Sequence, residues 1–348
     1  MQFGIFDIMQ VPPEIPSYRA YTRHLDDAAL ADELGLDYHF IAERHFMALY
    51  RTPSPTAWLG AMSQRTRRIR IGALAFTVPL HNPVRLAEDI SMLDHLSGGR
   101  MEAGVGLGHR PEELSSLGID PAIRHPMMIE SLTLMRKAWL GQTFDFPGQA
   151  FKYTNIRVEA PVQVPHPPLW YAGNDPRAAA WCARNVVSLA IGFQADDRLA
   201  NPAGAFHEQK AESKRDADRR PYLGLMRHLY VAETDEDARN EMIEDLQRIG
   251  QAFAAGPREI PSIDPSELPD RSEAETQLEH LRETNVVIGG SPETCAQQIA
   301  ETSQKLGLNV FLANPYLTGL EPERVQRTIR LFAELVAPQV RTLMERHS

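Results

Sequence analysis

Eight short apolar runs alternate with longer amphipathic stretches along this chain of 348 residues. Gly, Pro, Asp or Asn bounds each run, which is typical of strands buried on both faces of a parallel sheet. The predicted strands are Gln2–Asp7, Tyr38–Ala42, Ile69–Phe76, Met101–Gly106, Leu169–Ala172, Val186–Ile191, Tyr222–Val231 and Val310–Ala313. Eight strands that alternate with helices predict an α/β protein of one domain, a (β/α)8 TIM barrel, which takes roughly 250 residues before insertions.

The stretches between the runs begin at capping residues or end at glycines, as helices do. The predicted helices are Tyr18–Leu34, Pro83–Leu96, Met127–Leu140, Thr234–Phe253, Ser291–Leu306 and Glu321–Met344. An open doubly wound sheet is the alternative, and its first strand usually leads into a Gly-x-Gly-x-x-Gly turn. Here Asp7-Ile8-Met9-Gln10 follows the first run instead, which favours the barrel.

Two stretches have the composition of insertions into a barrel that spans residues 1–348. Phe144–Pro168 is rich in proline and aromatic residues, and Gly256–Asn285 combines four prolines with many acidic residues. We expect the second stretch to be a surface loop, and loops of this length often close over a site.

The charge balance limits the partners of this chain, because 36 basic and 46 acidic residues give a formal net charge of −10. An acidic excess argues against a broad surface for nucleic acid or an anionic membrane, but leaves room for a local basic pocket. No uncharged apolar stretch reaches the roughly 18 residues of a membrane span. Met1 leads directly into a strand, so no targeting segment is visible and we expect a cytoplasmic protein.

The two cysteines, Cys182 and Cys295, lie far apart and form no Cys-x-x-Cys motif. This usage fits a reducing compartment and excludes a zinc finger or a disulfide scaffold. We therefore expect no metal ligands among the functional residues.

Polar residues at strand ends are the first candidates for chemistry, because barrel active sites lie where strands end. Glu43-Arg44-His45 follows the second predicted strand. His45 could exchange protons near neutral pH, Glu43 could orient it, and Arg44 could hold an anion. A structural Glu–Arg pair beside a satisfied histidine explains the same run. His228, inside the seventh strand, faces either the lumen or the helix layer.

Glycines and small residues at three other strand ends are candidates for binding a flat, phosphorylated ligand. Leu74 and Ala75 lie late in the third strand, where small residues let a ligand approach the backbone, although core packing explains them too. Beyond the fourth and fifth strands, backbone amides and basic side chains suit a phosphate, although tight turns and a plain helix cap are equally consistent. The residues concerned are Gly106, Gly108, His109, Arg110, Gly173, Asn174 and Asp175.

The segments Leu80–Asp89 and Leu93–Arg100 resemble the bacterial luciferase-like flavin monooxygenase family. The resemblance extends from Met1–Phe6 through Gly290–Thr294 to Leu331-Phe332, and so covers nearly the whole chain. It implies a TIM barrel that binds reduced FMN at the carboxyl ends of its strands. It also implies that a separate flavin reductase supplies the reduced FMN, and that O₂ is used to oxidise a small organic substrate. Some relatives use a deazaflavin coenzyme instead.

The family pattern assigns expected roles to several positions. It places a non-proline cis peptide at Leu74-Ala75 beneath the flavin ring, and phosphate contacts at Gly106–Arg110 and Gly173–Asp175. His228 resembles a site histidine of the alkanesulfonate monooxygenases.

Two departures from the pattern change these expectations. Arg44 stands where luciferases have their catalytic histidine, and arginine cannot act as a base at neutral pH. Leu107 stands where luciferases have the arginine that binds phosphate, so His109 or Arg110 is expected to substitute for it.

These observations favour a flavin-dependent monooxygenase in which His45, Arg44 and His228 carry the chemistry. A flavin- or deazaflavin-dependent dehydrogenase or reductase on the same fold is the alternative. A non-catalytic partner subunit is a further one, because of the arginine at position 44.

The helix Pro83–Leu96 predicts a homodimer, because its apolar residues cover more than one face and relatives pair on this side. These residues are Val84, Leu86, Ala87, Ile90, Leu93 and Leu96.

Overall fold

The fold is taken from a computed structural model, which describes residues 1–11, 15–108, 110–213, 220–254, 270–316 and 321–346, without the side chains of 248–254. The strands are β1 (Gln2–Asp7), β2 (Tyr38–Ile41), β3 (Arg70–Ala73), β4 (Phe76–Thr77), β5 (Met101–Gly106), β6 (Phe144–Pro147), β7 (Lys152–Ile156), β8 (Leu169–Ala172), β9 (Ser188–Gly192), β10 (Leu223–Val231), β11 (Val287–Gly290) and β12 (Val310–Asn314). The helices are α1 (Ser17–Glu33), α2 (Pro55–Arg65), α3 (Pro83–Ser97), α4 (Pro111–Ser116), α5 (Arg124–Ala138), α6 (Pro176–Arg184), α7 (Asp196–Glu212), α8 (Asp235–Ala254), α9 (Arg271–Glu283), α10 (Pro292–Leu306), α11 (Pro322–Leu331) and α12 (Ala337–Glu345).

Eight parallel strands close into a barrel, in the order β1, β2, β3, β5, β8, β9, β10 and β12. Closure occurs where β12 pairs with β1, with Gln2 beside Val310. These eight strands lie where the eight apolar runs predict them, and helices surround them. The predicted TIM barrel is therefore confirmed, and its strand ends meet at one mouth.

Local capping explains where several helices begin and end. Asn82 accepts hydrogen bonds from the amides of Val84 and Arg85 at the start of α3, and Pro83 occupies the first turn. Gly98 ends the same helix in the left-handed region, with φ of 66°. The strand–helix alternation is thus encoded residue by residue.

Two details of the strands differ from the prediction. The predicted strand Ile69–Phe76 is divided into β3 and β4, and the Leu74–Ala75 peptide between them is cis. The strand β11 is additional, and its residues Val287–Gly290 pair with His228–Val231 at the end of β10. Only four residues long, β11 lies directly before the Ser291 cap of α10 and was not predicted.

The two insertions have different structures. The first contains an antiparallel hairpin formed by β6 and β7. In the second, residues 271–283 form α9, so the prediction of a loop over the whole stretch is wrong there, and residues 255–269 lie outside the described residues. The periodic apolar residues Ala274 and Leu278 bury one face of α9, which explains the helix.

The amino-terminal end of the barrel lumen is filled by side chains. Aromatic rings of Tyr38, Phe40 and Trp170 pack there, 5.4–5.9 Å between centroids. Below them Glu102 is fully buried, accepting 2.7 Å hydrogen bonds from Trp170 Nε1 and Arg220. With this end packed, space for a ligand remains at the carboxyl ends of the strands.

Among the helices of the described residues, none combines the length and the apolar character needed to cross a membrane.

Candidate active site

A cavity of about 280 Å³ opens at the carboxyl ends of the barrel strands. It is lined by Phe6, Arg44, Leu74, Ala75, Thr77, Gly106, Leu107, Gly108, Arg124, Tyr171, Ala172, Gly173, Phe193 and Met226. Six of the residues that the sequence predicted for the site are among them: Arg44, Leu74, Ala75, Gly106, Gly108 and Gly173. Strand ends far apart in sequence thus converge on one space, as the barrel topology requires.

Backbone forms much of the wall near the third and fourth barrel strands. The Leu74–Ala75 peptide is cis and lines the cavity, as the family resemblance implies. A Cβ added to Gly106 would lie 3.0 Å from the Ala75 Cβ. Gly108 has φ of +75°, and a Cβ there would lie 2.9 Å from Thr77 Cγ2. Glycine at both positions keeps a flat stretch of main chain open to a ligand.

Two guanidinium groups line the cavity, and no carboxylate is among its lining residues in the described part of the chain. Arg44 donates from Nη1 to the Glu43 carbonyl oxygen at 3.0 Å. Its Nε and Nη2 are not buried and have no partner among the described residues. The Arg124 guanidinium has neither a hydrogen bond nor an ion pair with any described residue. Burial lowers the pKa of Arg44, although Glu113 nearby opposes this, and the group stays charged.

A buried carboxylate with two histidines lies beside Arg44. Glu43 Oε1 lies 2.9 Å from Nε2 of both His45 and His81, and Glu43 Oε2 accepts the Thr77 amide at 2.6 Å. Thr77 itself lines the cavity, so Glu43 ties the end of β2 to the turn after β4. His45 and His81 are not among the lining residues.

The electrostatics of this cluster follow from its contacts. Burial alone would raise the pKa of Glu43, but hydrogen bonds from His45, His81 and Thr77 outweigh it and lower the pKa to about 2. The hydrogen bond that His45 donates to Glu43 raises the pKa of His45 above its usual 6.5, although partial burial opposes this. Glu43 rather than Arg44 therefore sets the charge of His45, a choice that the sequence left open.

His228 faces the barrel lumen, in step with Met226 on β10, and its ring lies 4.9 Å from that of Phe193. Burial, together with the charge of Arg227, lowers the pKa of His228 to about 4. The ring is therefore neutral near pH 7. His228 is not a lining residue of the cavity, whereas Phe193, which its ring contacts, is one.

Three predicted cofactor residues face other partners. Arg110 Nε lies 3.7 Å from Glu113 Oε1, and Arg110 is not a lining residue. The Asn174 side chain both donates to and accepts from the Gly192 backbone at 3.0 Å, which joins the ends of β8 and β9. Asp175 caps α6 by accepting from the amides of Arg177 and Ala178. Another predicted cofactor residue, His109, lies outside the described residues.

Arg124 is the charged lining residue that the sequence did not predict. It begins α5, where the positive end of the helix dipole disfavours a cation. A basic residue at the first position of a helix therefore indicates that an interaction outside the helix offsets the unfavourable effect of the helix dipole. Tyr171, Phe193 and Met226 were missed as well, because in the sequence they are ordinary core residues of strands or strand ends.

Cys182 and Cys295 are buried and free, and burial raises the pKa of both thiols. Neither lines the cavity. Within the described ranges, no group of three or more His, Cys, Asp or Glu side chains is placed to hold a metal ion.

The family model described as luciferase-like monooxygenase matches residues 1–309 of this chain. The chain belongs to the luciferase-like monooxygenase family. It is 35% identical over 249 residues to the uncharacterized protein y4wF of Sinorhizobium fredii, covering 71% of this chain and 72% of that relative. It is 26% identical over 254 residues to the oxygenase component of the flavin-dependent trigonelline monooxygenase of Acinetobacter baylyi, covering 70% and 69%.

Solved structures share the whole fold of this luciferase-like chain. The monooxygenase RslO1 of Streptomyces bottropensis has a TM-score of 0.84 at 22% identity, covering 97% of this chain and 99% of that one. The oxygenating constituent of 3,6-diketocamphane monooxygenase of Pseudomonas putida, in complex with FMN, has 0.79 at 21%, covering 98% of each. An F420-dependent secondary alcohol dehydrogenase has 0.73 at 21%, covering 97% and 98%. At these identities the likeness establishes the fold alone.

Proposed function

We propose that this protein is the oxygenase component of a two-component monooxygenase, which uses reduced FMN and O₂ to oxidise a small organic substrate. The observation that carries the proposal is the cavity at the barrel mouth. The cis Leu74–Ala75 peptide, a glycine-rich turn and Arg124, which has no partner among the described residues, line it. Membership of the luciferase-like monooxygenase family and the flavin-dependent relative support the same function.

The lining residues fit FMN in two halves. On the β5 and β8 side, a phosphate would suit the backbone amides at Gly106–Gly108 and Gly173 and the Arg124 guanidinium, which no described residue engages. On the opposite side, Phe6, Phe193 and Met226 are apolar and would exclude water from a flat ring that lies over Leu74–Ala75. When bound, reduced FMN would supply the electrons that activate O₂.

The protein's own groups would handle charge and protons. Glu43 holds the Nε2–H of His45, so in the neutral ring Nδ1 is the basic nitrogen. We assign His45 the transfer of protons at the edge of the cavity. Arg44 cannot take a proton, and it contributes a fixed positive charge at the cavity wall. His228, neutral near pH 7, would act on the lumen side of Phe193.

The test is an assay with reduced FMN from any flavin reductase, ¹⁸O₂ and a panel of aldehydes, ketones, carboxylic acids and sulfonates. Mass spectrometry should find one ¹⁸O atom in a product that forms only with the protein and reduced FMN. Failure to bind FMN in either redox state would contradict the proposal.

A dehydrogenase that uses a deazaflavin is the second candidate, favoured by the shared fold of the F420-dependent alcohol dehydrogenase. Equilibrium binding of reduced FMN and reduced F420 to the same preparation separates the two. Tighter binding of F420, with hydride transfer and no oxygen incorporation, would favour the dehydrogenase. A protein that binds neither coenzyme would be the non-catalytic partner.

The proposal includes the protein's surroundings. A separate reductase would supply reduced FMN in the cytoplasm, and two copies of the chain would pair through α3.

A further inference from the structure

The cavity of this acidic protein is positively charged. The chain has a net charge of −10, yet the cavity is lined by two arginines and by no acidic residue of the described part of the chain. Both guanidinium groups have nitrogens that no described residue satisfies and that are not buried. Unpaired charge in a partly buried site is costly, so such a site favours anionic ligands.

The two arginines lie on different sides of the Leu74–Ala75 peptide. Arg44 follows β2, and Arg124 starts α5, which follows β5. In the barrel, β3 and β4 lie between β2 and β5. Because the two arginines enter the cavity from strand ends that are not adjacent in the barrel, they form two separate anion sites.

The surroundings of each arginine differ. Arg124 shares its side with the glycines of the β5 and β8 ends, which suit a phosphate. Arg44 follows β2, whose neighbour β1 carries Phe6 one residue before its end. The ring centroids of Phe6 and Phe193, which both line the cavity, are 5.9 Å apart. Two carboxylates lie near Arg44. Glu43 binds His45, His81 and Thr77. Glu113 acts on the charge of Arg44, but no hydrogen bond joins the two side chains in the described part of the chain.

From this arrangement we propose that the substrate is a small molecule with an apolar body and one carboxylate, and that Arg44 binds the carboxylate. The inference rests on the proposed function, in which FMN occupies the Arg124 side. A carboxylate matches Nε and Nη2 of Arg44, which no described residue engages and which present two parallel donors. The apolar body packs against Phe6, Phe193 and Met226. Arg44 is thus a specificity-determining residue.

The test is binding of benzoate and of benzamide, its neutral isostere, to protein saturated with oxidised FMN, followed by ligand-observed NMR. The wild-type protein should bind benzoate at least about tenfold more tightly than benzamide, as a charge-assisted hydrogen bond implies. Arg44→Gln should abolish this preference and leave FMN affinity within about threefold. Arg110→Gln is the matched control, since Arg110 does not line the cavity, and should keep the preference.

Three outcomes would overturn the inference: equal binding of the two probes by the wild-type protein, a preference that survives in Arg44→Gln, or a loss of FMN but not riboflavin affinity in that variant. The last would place the FMN phosphate on Arg44. The comparison of benzoate and benzamide binding to the wild-type protein tests the inference even if a variant fails to fold. If FMN does not bind at all, the proposed function fails. The inference is then tested by the same titrations without FMN: it holds if benzoate binds more tightly than benzamide and Arg44→Gln removes this preference.

Discussion

Arg124 and Arg110 are both near the end of β5, but only Arg124 reaches the cavity. Arg124→Ala should weaken FMN binding by about tenfold or more and leave riboflavin binding nearly unchanged, because a charged donor to phosphate contributes about 1.5–3 kcal/mol. Fluorescence titration of both flavins measures this. Arg110→Ala, whose side chain faces Glu113, is the control and should change neither affinity by more than about threefold. A selective loss of FMN in Arg110→Ala instead would restore the sequence-based prediction.

His45 donates a hydrogen bond to Glu43, a buried carboxylate that stays ionised near neutral pH. Glu43→Gln should lower the pKa of His45 toward its ordinary 6.5, because the hydrogen bond to Glu43 is the largest cause of the increase. An NMR titration of the His45 ring measures the shift. Because the raised pKa is linked to folding, this pair contributes stability that is present below pH 6.5 and is lost as pH rises through the folded value. An unchanged pKa in the variant would contradict the assignment.

Removal of the imidazole tests its role in catalysis. His45→Ala should lower product formation at least tenfold, as for loss of a general acid or base, while FMN still binds. Reduced flavin should then be consumed with release of H₂O₂, which a peroxidase-coupled assay detects. Unchanged coupling of flavin oxidation to product would move the proton transfer to another group, and His228 would be tested next.

At the scale of strands and helices, close approach between barrel strands depends on glycine. A Cβ added to Gly104 on β5 would lie 1.7 Å from the Ala73 carbonyl oxygen of β3, a backbone atom that cannot move without opening the barrel. Gly104→Ala should therefore lower the free energy of unfolding by about 3 kcal/mol or more. The control is Gly60→Ala within α2, where the nearest atom is the Leu93 Cδ2 at 4.0 Å. Helix propensity predicts a gain of about 0.5–1 kcal/mol there. Urea denaturation measures both, and similar values would contradict the packing argument.

The strand β2 carries a buried histidine, His39, whose two ring nitrogens have no hydrogen-bond partner among the described residues. Burial lowers the pKa of His39 to about 4, with Asp7 partly opposing. In the unfolded chain His39 is protonated below about pH 6.5, whereas in the folded chain it stays neutral down to about pH 4. Between these pH values protonation favours the unfolded state, so the free energy of unfolding decreases as the pH falls. Asp27 acts in the opposite direction, since burial raises its pKa to about 6 and folding favours its protonated form below that pH.

His39→Leu should reduce the loss of unfolding free energy between pH 7 and pH 4.5 by about 2 kcal/mol, because leucine binds no proton in the unfolded state. Urea denaturation at both pH values measures the difference. If the variant and the wild-type protein lose the same stability over this range, His39 is not a source of the acid sensitivity.

For the whole molecule, the α3 surface bears on assembly. Leu86, Ala87, Ile90 and Leu93 are buried within one chain, so they give no reason for pairing, contrary to the argument from sequence. Exposed apolar groups remain on the same helix, with Met92 at 63% and Leu96 at 43%, and Ser91 and His95 tie the neighbouring 159–160 backbone to it. This surface is where a homodimer would form.

Sedimentation velocity at micromolar concentration should show a dimer, and Leu96→Glu should shift it toward monomer, because the substitution would bury a charge at the interface. Leu335→Glu is the matched control, since Leu335 is equally exposed at 43% on the turn between α11 and α12. That variant should remain dimeric. A monomeric wild-type protein would refute the prediction.

The sequence by itself determined the architecture, since alternating apolar runs and capping residues are local patterns and depend only on neighbours along the chain. It also predicted Arg44, the Leu74–Ala75 peptide and the glycines Gly106, Gly108 and Gly173 at the cavity, because a barrel places strand ends at one mouth. Residues whose position follows from strand order were therefore predictable.

Only the tertiary structure decided which partner each polar side chain takes. Glu43 meets Thr77 and His81, which are 34 and 38 residues away, and Asn174 meets Gly192, 18 residues away. Arg124 reaches the cavity and Arg110 does not, although both follow β5. These contacts depend on distances and orientations between elements remote in sequence, and hydrogen bonds act only within about 3 Å. Local residue patterns do not specify distances at that precision, so the partners of the polar side chains at the site are known only from the tertiary structure.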